Sequence, residues 1–208
     1  MLHSSLLIRE ELRLFKITIV IAAAALLAAC STSRMAALSQ YQVDYSPWAT
    51  AESVSAVAFE RKGRAGNLPL CVAAVVSNTG ETLSDSSNSF FGAYSGNYYN
   101  IQKSVQAAGG DVLQFVSSDA SSLVATGSVR YEASALVHRS VRFKLVAQQD
   151  ESGRNYRFSD LAQAQINTGA AANTGYGPIG SWAGANPDLA LGALGRVADE
   201  IERCLASN

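Results

Sequence analysis

Apolar positions along this chain follow three registers, and each predicts a different element. In the second half they alternate with polar residues, most clearly where Val141, Phe143, Leu145 and Ala147 stand against Arg142 and Lys144. A period of two marks a strand with one buried face. Such runs cover 111–117, 123–133, 135–148 and 155–162, the last two joined through the turn-forming Asp150-Glu151-Ser152-Gly153. Spacing by three and four appears at Ala190, Leu194, Val197, Ile201 and Cys204, behind Asn186-Pro187-Asp188. A capping residue, a proline and an acid in that order open a helix, here expected over 187–206, with Gly192 and Gly195 permitting close approach to the sheet. The same spacing at Tyr98, Ile101, Val105 and Ala108, between Asn97 and Gly109-Gly110, predicts a helix over 98–108. Residues 54–59 read as a short first strand. The unbroken apolar run 70–76, which contains Cys71, reads as a buried strand ending at Ser77-Asn78-Thr79-Gly80. Segments 84–97 and 163–187 are rich in Ser, Gly and Asn and read as loops, the second carrying Asn167-Thr168-Gly169 and its repeat Asn173-Thr174-Gly175. This order predicts an α+β fold, an antiparallel sheet with helices packed on one face.

The third register is a continuous apolar run over 17–29, preceded by Arg9, Arg13 and Lys16 and ending in Leu27-Ala28-Ala29-Cys30. As a helix it reaches roughly 20 Å, short of a hydrocarbon core of about 30 Å, so it is too short for a membrane span. A basic front, an apolar centre and a small-residue site describe an export leader. The stretch resembles a bacterial lipoprotein signal peptide. That resemblance implies removal of residues 1–29, diacylation of Cys30 on sulfur and usually a third acyl chain on the new N-terminus. Ser31 stands where an Asp would signal inner-membrane retention, which implies the outer membrane, facing the periplasm. Ordinary secretion with cleavage after Ala29 is the rival reading. The division expected is a leader at 1–29, a lipidated Cys and tether at 30–52, and a single domain at 53–208. Tyr41, Tyr45 and Trp48 are placed to dock the tether onto that domain.

Charge narrows the partners. The leader carries three of the 16 Lys and Arg residues and two of the 17 acids, leaving 13 bases against 15 acids. A nucleic-acid binder needs a basic surplus to displace counterions from phosphate, so no nucleic-acid partner is expected. Arg130, Arg139, Arg142, Lys144, Arg154 and Arg157 cluster along the strand runs, where alternation predicts one solvated sheet face. Asp199, Glu200 and Glu202 are likewise assigned to the solvated side of the last helix. With Cys30 acylated, Cys71 and Cys204 form an even pair in an oxidising compartment and predict a disulfide that pins the last helix onto the sheet.

Chemistry-bearing residues are sparse. Outside the leader the chain has one histidine, His138, so sites built on several His are unavailable, and no metal or cofactor is expected. A Cys71–His138 pair oriented by Asp111 or Asp160 competes with the disulfide. Neither Gly-x-Ser-x-Gly nor Ser-x-x-Lys with its partner motifs occurs, and Gly175-Tyr176-Gly177-Pro178-Ile179-Gly180 lacks the strand and helix of a dinucleotide fingerprint. What remains is Phe90, Phe91, Tyr94, Tyr98 and Tyr99 among Gly92, Gly96 and Asn97, with Tyr176 and Trp182 as rings that could join them. Tyr and Phe among Gly, Ser and Asn suit a surface for a glycan or an apolar molecule. The competing reading has these rings capping the sheet edge. The function expected is a non-enzymatic interaction or structural module of the cell envelope, with an envelope protein or glycan as partner; a cell-wall hydrolase is the third reading.

The hairpin Val141-Arg142-Phe143-Lys144-Leu145 and Gly153-Arg154-Asn155-Tyr156-Arg157-Phe158 is similar to one in a family of uncharacterised bacterial exported proteins. These share a fold like that of the TATA-box-binding protein. The resemblance covers residues 68–165 and implies a fold without an activity.

Overall fold

Seven antiparallel strands make the body of the protein in its computed structural model, which describes residues 34–49, 51–63 and 66–207. The leader and Cys30 lie outside these residues. In chain order the elements are β1 (Gln42–Trp48), β2 (Ala51–Arg61), α1 (Leu68–Val75), β3 (Glu81–Asp85), β4 (Phe90–Phe91), β5 (Tyr98–Tyr99), β6 (Lys103–Ala107), β7 (Leu113–Val116), β8 (Ser122–Ser134), β9 (Val137–Gln149), β10 (Arg154–Gln165), β11 (Gly177–Gly180) and α2 (Pro187–Ser207). The sheet order is β1-β2-β11-β10-β9-β8-β7. Strands β3 with β6 and β4 with β5 form separate two-stranded ribbons.

The alternation read from sequence sets the sheet's two faces. Val141, Phe143, Leu145 and Ala147 are buried, whereas Arg142, Lys144 and Gln148 are exposed. Large and small residues oppose one another: Leu145 pairs with Ala125, and Phe143 pairs with Gly127. A Cβ on Gly127 would lie 2.4 Å from Val76 Cγ1 and 3.0 Å from the Phe143 ring, so only glycine lets the segment after α1 rest on the strand. Phe143 and Phe59 both meet Phe158 edge-on, at 5.1 and 5.8 Å between ring centroids. At Asp160, with φ of 54°, β10 carries a bulge and diverges from β2. Strand β11 fills that fork, Gly177 and Pro178 pairing with β10 and Ile179 and Gly180 with β2.

Cys71 lies in a helix where the apolar run suggested a strand. Periodicity cannot separate a short buried strand from a short buried helix. The local signals that decide are Asn67, whose side chain accepts from the Leu70 N–H at 3.2 Å, and Pro69 in the first turn. Helix α2 does begin at Pro187, and it buries Ala190, Leu191, Leu194, Val197, Ile201 and Leu205. Cys71 and Cys204 form the expected disulfide across 133 residues of sequence, but it joins α2 to α1 and not to the sheet.

Three further expectations are corrected. Residues 98–108 are not helical: they make β5 and β6, because Val105 and Lys103 face strand partners Leu83 and Asp85, and Gly109 closes the ribbon's open end. Most of 31–52 is not a tether; residues 36–40 form a 3-10 turn with Leu38 buried, and β1 pairs with β2 throughout. Tyr41 meets Phe59 edge-on, which docks this segment on the core as its rings suggested. Nor is the charge all solvated. Arg154 keeps 4% of its side-chain surface and donates to Glu202 of α2, while Tyr156 donates to the same carboxylate at 2.7 Å. Arg61 pairs with Asp199 at 2.8 Å. Burial pushes the Glu202 carboxyl up, but the hydrogen bonds from Arg154 and Tyr156 outweigh it and hold the carboxyl below its ordinary range. Desolvation, followed by the bond to Glu202, pushes the Tyr156 phenol well above its ordinary range.

Two outcomes are expected. Reduction, or Cys71→Ala with Cys204→Ala, lowers the urea midpoint and steepens the slope, because the uncrosslinked unfolded chain exposes more surface; the chain-entropy argument for so long a loop gives about 4–5 kcal/mol. Arg154→Met leaves Glu202 half-buried without its cation and destabilises by about 3 kcal/mol, the low end for a broken pair because Glu202 stays partly hydrated. A carboxyl with a depressed folded pKa stabilises above its unfolded value and loses that contribution as pH falls. In acid titrations followed by circular dichroism, the stability of Arg154→Met therefore falls less steeply below about pH 4.5 than that of the parent.

Candidate functional site

The five clustered aromatics of the sequence lie on one arm. After α1 the chain turns at Gly80, and β3 pairs with β6 over Glu81↔Ala107 to Asp85↔Lys103. Beyond that ribbon, β4 and β5 continue the arm, pairing Phe90 with Tyr99 and Phe91 with Tyr98. The rings follow the pairing. Phe90 stacks on Tyr99 at 5.1 Å and 18°, and Phe91 lies against Tyr98 at 6.1 Å. Tyr94 sits at the turn, fully exposed, and Phe91 keeps 70% of its surface. Serine and glycine close the turn: the Gly92 N–H donates to Asn97 O at 2.8 Å, the Ile101 N–H to Ser89 Oγ at 2.9 Å, and the Tyr99 hydroxyl to Ser95 Oγ at 3.2 Å. These rings therefore neither cap the sheet nor enter the core.

The arm's root is fastened with polar bonds. Arg130 of β8 grips the buried Glu81 carboxylate with two nitrogens, at 2.9 and 2.7 Å. The Ser84 N–H donates to Ile166 O at 2.8 Å and its carbonyl accepts from the Thr168 N–H at 3.1 Å, just past the end of β10. Asn173 Nδ2 donates to Ser84 O and Gln165 O, and its N–H donates to Asp85 at 3.0 Å. The Ser87 hydroxyl and then the Asn173 N–H hold the Asp85 carboxyl below its ordinary range. The repeated Asn-Thr-Gly explains this brace. In each copy the Asn side chain accepts from the Gly N–H two residues on, and Gly169 and Gly175 take φ of 60° and 82°. Both copies are Asx-turns that need glycine at the third position.

Tyr176 and Trp182 do not join the arm's tip. The Tyr176 hydroxyl donates to the buried Ser140 at 2.9 Å and its ring carries the Arg142 guanidinium at 5.0 Å, on the sheet's outer face. Trp182 stacks on Trp48 at 5.6 Å and 6° over Gly180, beside an open cleft of about 350 Å³ that Gln163, Thr168 and Asn173 also line. His138 is exposed on β9, where it pairs with Glu132, and its carbonyl accepts from the Ile166 N–H. The disulfide removes Cys71 from any pairing with His138. Among the described residues no three His, Cys, Asp or Glu side chains come together as a metal site. Sequence reasoning missed Leu136, which keeps 90% of its surface in the β8–β9 turn, and the bracing role of Asn173. The Asn-Thr-Gly repeat was the available signal for the second.

No family model matches the chain, and neither the curated proteins nor the solved structures provide a match.

Asn173→Ala removes two side-chain donors and the acceptor of its own turn. It costs about 1–2 kcal/mol locally. Native-state hydrogen exchange should show faster exchange at Ser84, Ser86 and Thr168 and no change at Phe143 and Leu145 in the core.

Proposed function

We propose that this protein is a lipid-anchored, non-enzymatic component of the bacterial cell envelope, held through Cys30 and acting as an interaction module. The carrying observation is Leu27-Ala28-Ala29-Cys30 behind a basic, then apolar, leader, only four residues ahead of the folded domain at Arg34. Support for an exported protein comes from the Cys71–Cys204 disulfide, which suits an oxidising compartment. Support for an interaction role comes from the exposed aromatic arm, a contact surface on a braced root. Among the described residues no helix is long and apolar enough to cross a membrane, so attachment in this reading falls to the acyl chains. One acyl chain binds a bilayer marginally, and two or three bind it durably. Ser31 after the Cys favours the outer membrane, facing the periplasm.

The TATA-box-binding-protein-like arrangement implied by the 141–158 hairpin belongs to this proposal as a fold reading; an antiparallel sheet with two helices is compatible with it, and it brings no nucleic-acid role. A second reading, a glycan-binding or apolar-ligand module, is favoured by the stacked Phe90–Tyr99 pair with hydroxyls and amides beside it.

Intact-mass spectrometry of the chain from bacterial membranes tests the anchor. The expected result is loss of residues 1–29 and addition of acyl chains, both abolished by Cys30→Ser. A wild-type mass without acyl addition overturns the proposal.

A further inference from the structure

We infer, resting on the proposed anchoring at Cys30, that the aromatic arm's occupant is the bilayer itself: its tip lies in the membrane interface as a second contact beside the acyl chains. The pairing registers place the relevant features at one end of the sheet. Arg154 pairs with Arg61 and Ser159 with Ala56, so β10 runs toward the start of β2; past Ser159 it diverges, and its last residue Gln165 lines one cleft with Trp48 of the β1–β2 turn. Trp48 pairs with Ala51 in that turn. The chain arriving from Cys30 meets the same end: Arg34 pairs with Glu52, and the Met35 N–H donates to Ser181 O at 2.8 Å. Gln165 pairs with Arg139, which brings the β8–β9 turn and exposed Leu136 there too.

The arm leaves by this end. Ser84 bonds Ile166 and Thr168 just past Gln165, and its bridge to Asn167 is parallel, so β3 runs outward with the continuation of β10. The tip therefore continues beyond the end at which the anchor joins. Arg34 is the fourth residue after Cys30, a reach of at most about 14 Å. An acylated Cys30 thus keeps this end close to the lipid.

The composition of the tip fits that place. Residues 86–102 contain no charged side chain, and Asp85 and Lys103 bound the uncharged stretch on both strands. Uncharged rings with phenolic hydroxyls settle at headgroup level, with the ring toward the acyl chains and the hydroxyl toward water. Charge at that depth would carry a desolvation cost, and the tip has none. Its turn satisfies its own polar groups through Gly92, Ser89 and Ser95, so shallow immersion leaves few of them without partners. Trp48, 40% exposed beside Trp182, is a further interfacial side chain at the same end. Acyl chains alone leave the domain free to tilt; a second, protein-borne contact fixes its orientation.

The test uses the acylated full-length product, purified from membranes and reconstituted into phosphatidylcholine–phosphatidylglycerol vesicles with bromine near the glycerol end of the acyl chains. The probe is Tyr94→Trp in a Trp48→Phe, Trp182→Phe background. Its emission should shift to the blue and be quenched by bromolipid. In parallel, hydroxyl-radical footprinting of the unsubstituted chain should show Tyr94 and Tyr98 protected in vesicles relative to detergent, with Phe115 of the distant β7 edge equally reactive in both; this keeps the test valid should the substituted background misfold. An acylated chain whose probe emits as hydrated indole, with Tyr94 and Tyr98 unprotected, overturns the inference and leaves the anchor standing. An unacylated mass overturns the anchor and with it the inference. Protection that appears only on adding soluble peptidoglycan fragments assigns the arm to a glycan and overturns the inference.

Discussion

One apolar sheet face, covered once, is the constraint on which the rest depends. The sheet has a single stripe of large buried side chains, from Val57 and Phe59 through Phe158 and Phe143 to Leu145, and α1 and α2 cover it. Burial at about 25 cal/mol per Å² is the main stabilising term, and here it acts on one side of the sheet only. The helices must lie close for that, which is why Gly127 stands beneath Val76 and why a covalent bond between Cys71 and Cys204 holds the two helices as a unit. The opposite face carries Arg142, Lys144, Arg157 and Thr126, which need water or pairing and no second layer. With the apolar face closed, exposed rings elsewhere are surplus to the core.

That division was legible where the period was long and clean. Strands β8, β9 and β10 and helix α2 follow directly from alternation and from Asn186-Pro187-Asp188, and the disulfide follows from an even cysteine count. Errors fell where local pattern had two physical realisations. The 70–76 run is apolar throughout, so burial alone could not choose between strand and helix, and Asn67 and Pro69 decided it. Tyr98, Ile101, Val105 and Ala108 have helical spacing by coincidence. They are exposed or half-exposed, and the spacing of residues that face no core carries no information about the element. Pairing across long sequence distances, as between Glu202 and Arg154, has no local signature, which is why acids that looked solvated turn out to hold a buried guanidinium.

The arm illustrates the same limit and its consequence. A two-stranded ribbon is marginal in water, so an arm this exposed needs support from its base. That support is polar and specific: Arg130 on Glu81, Asn173 on Ser84 and Gln165, and Thr168 on Ser84. The five aromatics were visible in the sequence as a cluster, but their pairing as Phe90–Tyr99 and Phe91–Tyr98 depends on a hairpin register that no motif announces. Tyr176 and Trp182 were grouped with them by composition, and composition carries no geometry. Each found a nearer partner, Ser140 and Arg142 in one case and Trp48 in the other.

The two ends of the domain are chemically unlike, and that asymmetry bears on how it would stand on a surface. Around the β9–β10 turn lie Arg154 with Glu202, Arg61 with Asp199, and the Asp150 turn, a concentration of charge that favours water. From the other end projects a stretch without charge, residues 86–102, tipped with rings. Under the proposed anchoring the N-terminal connection emerges at that same end, through Arg34 and Met35. Under that anchoring the uncharged tip faces the interface and the Arg154–Glu202 and Arg61–Asp199 pairs face away from it, and inversion would desolvate those pairs and hydrate the rings. The disulfide joins the first turn of α1 to the last turns of α2 close to Glu202, and so ties together, at the charged end, the two helices that cover the apolar face.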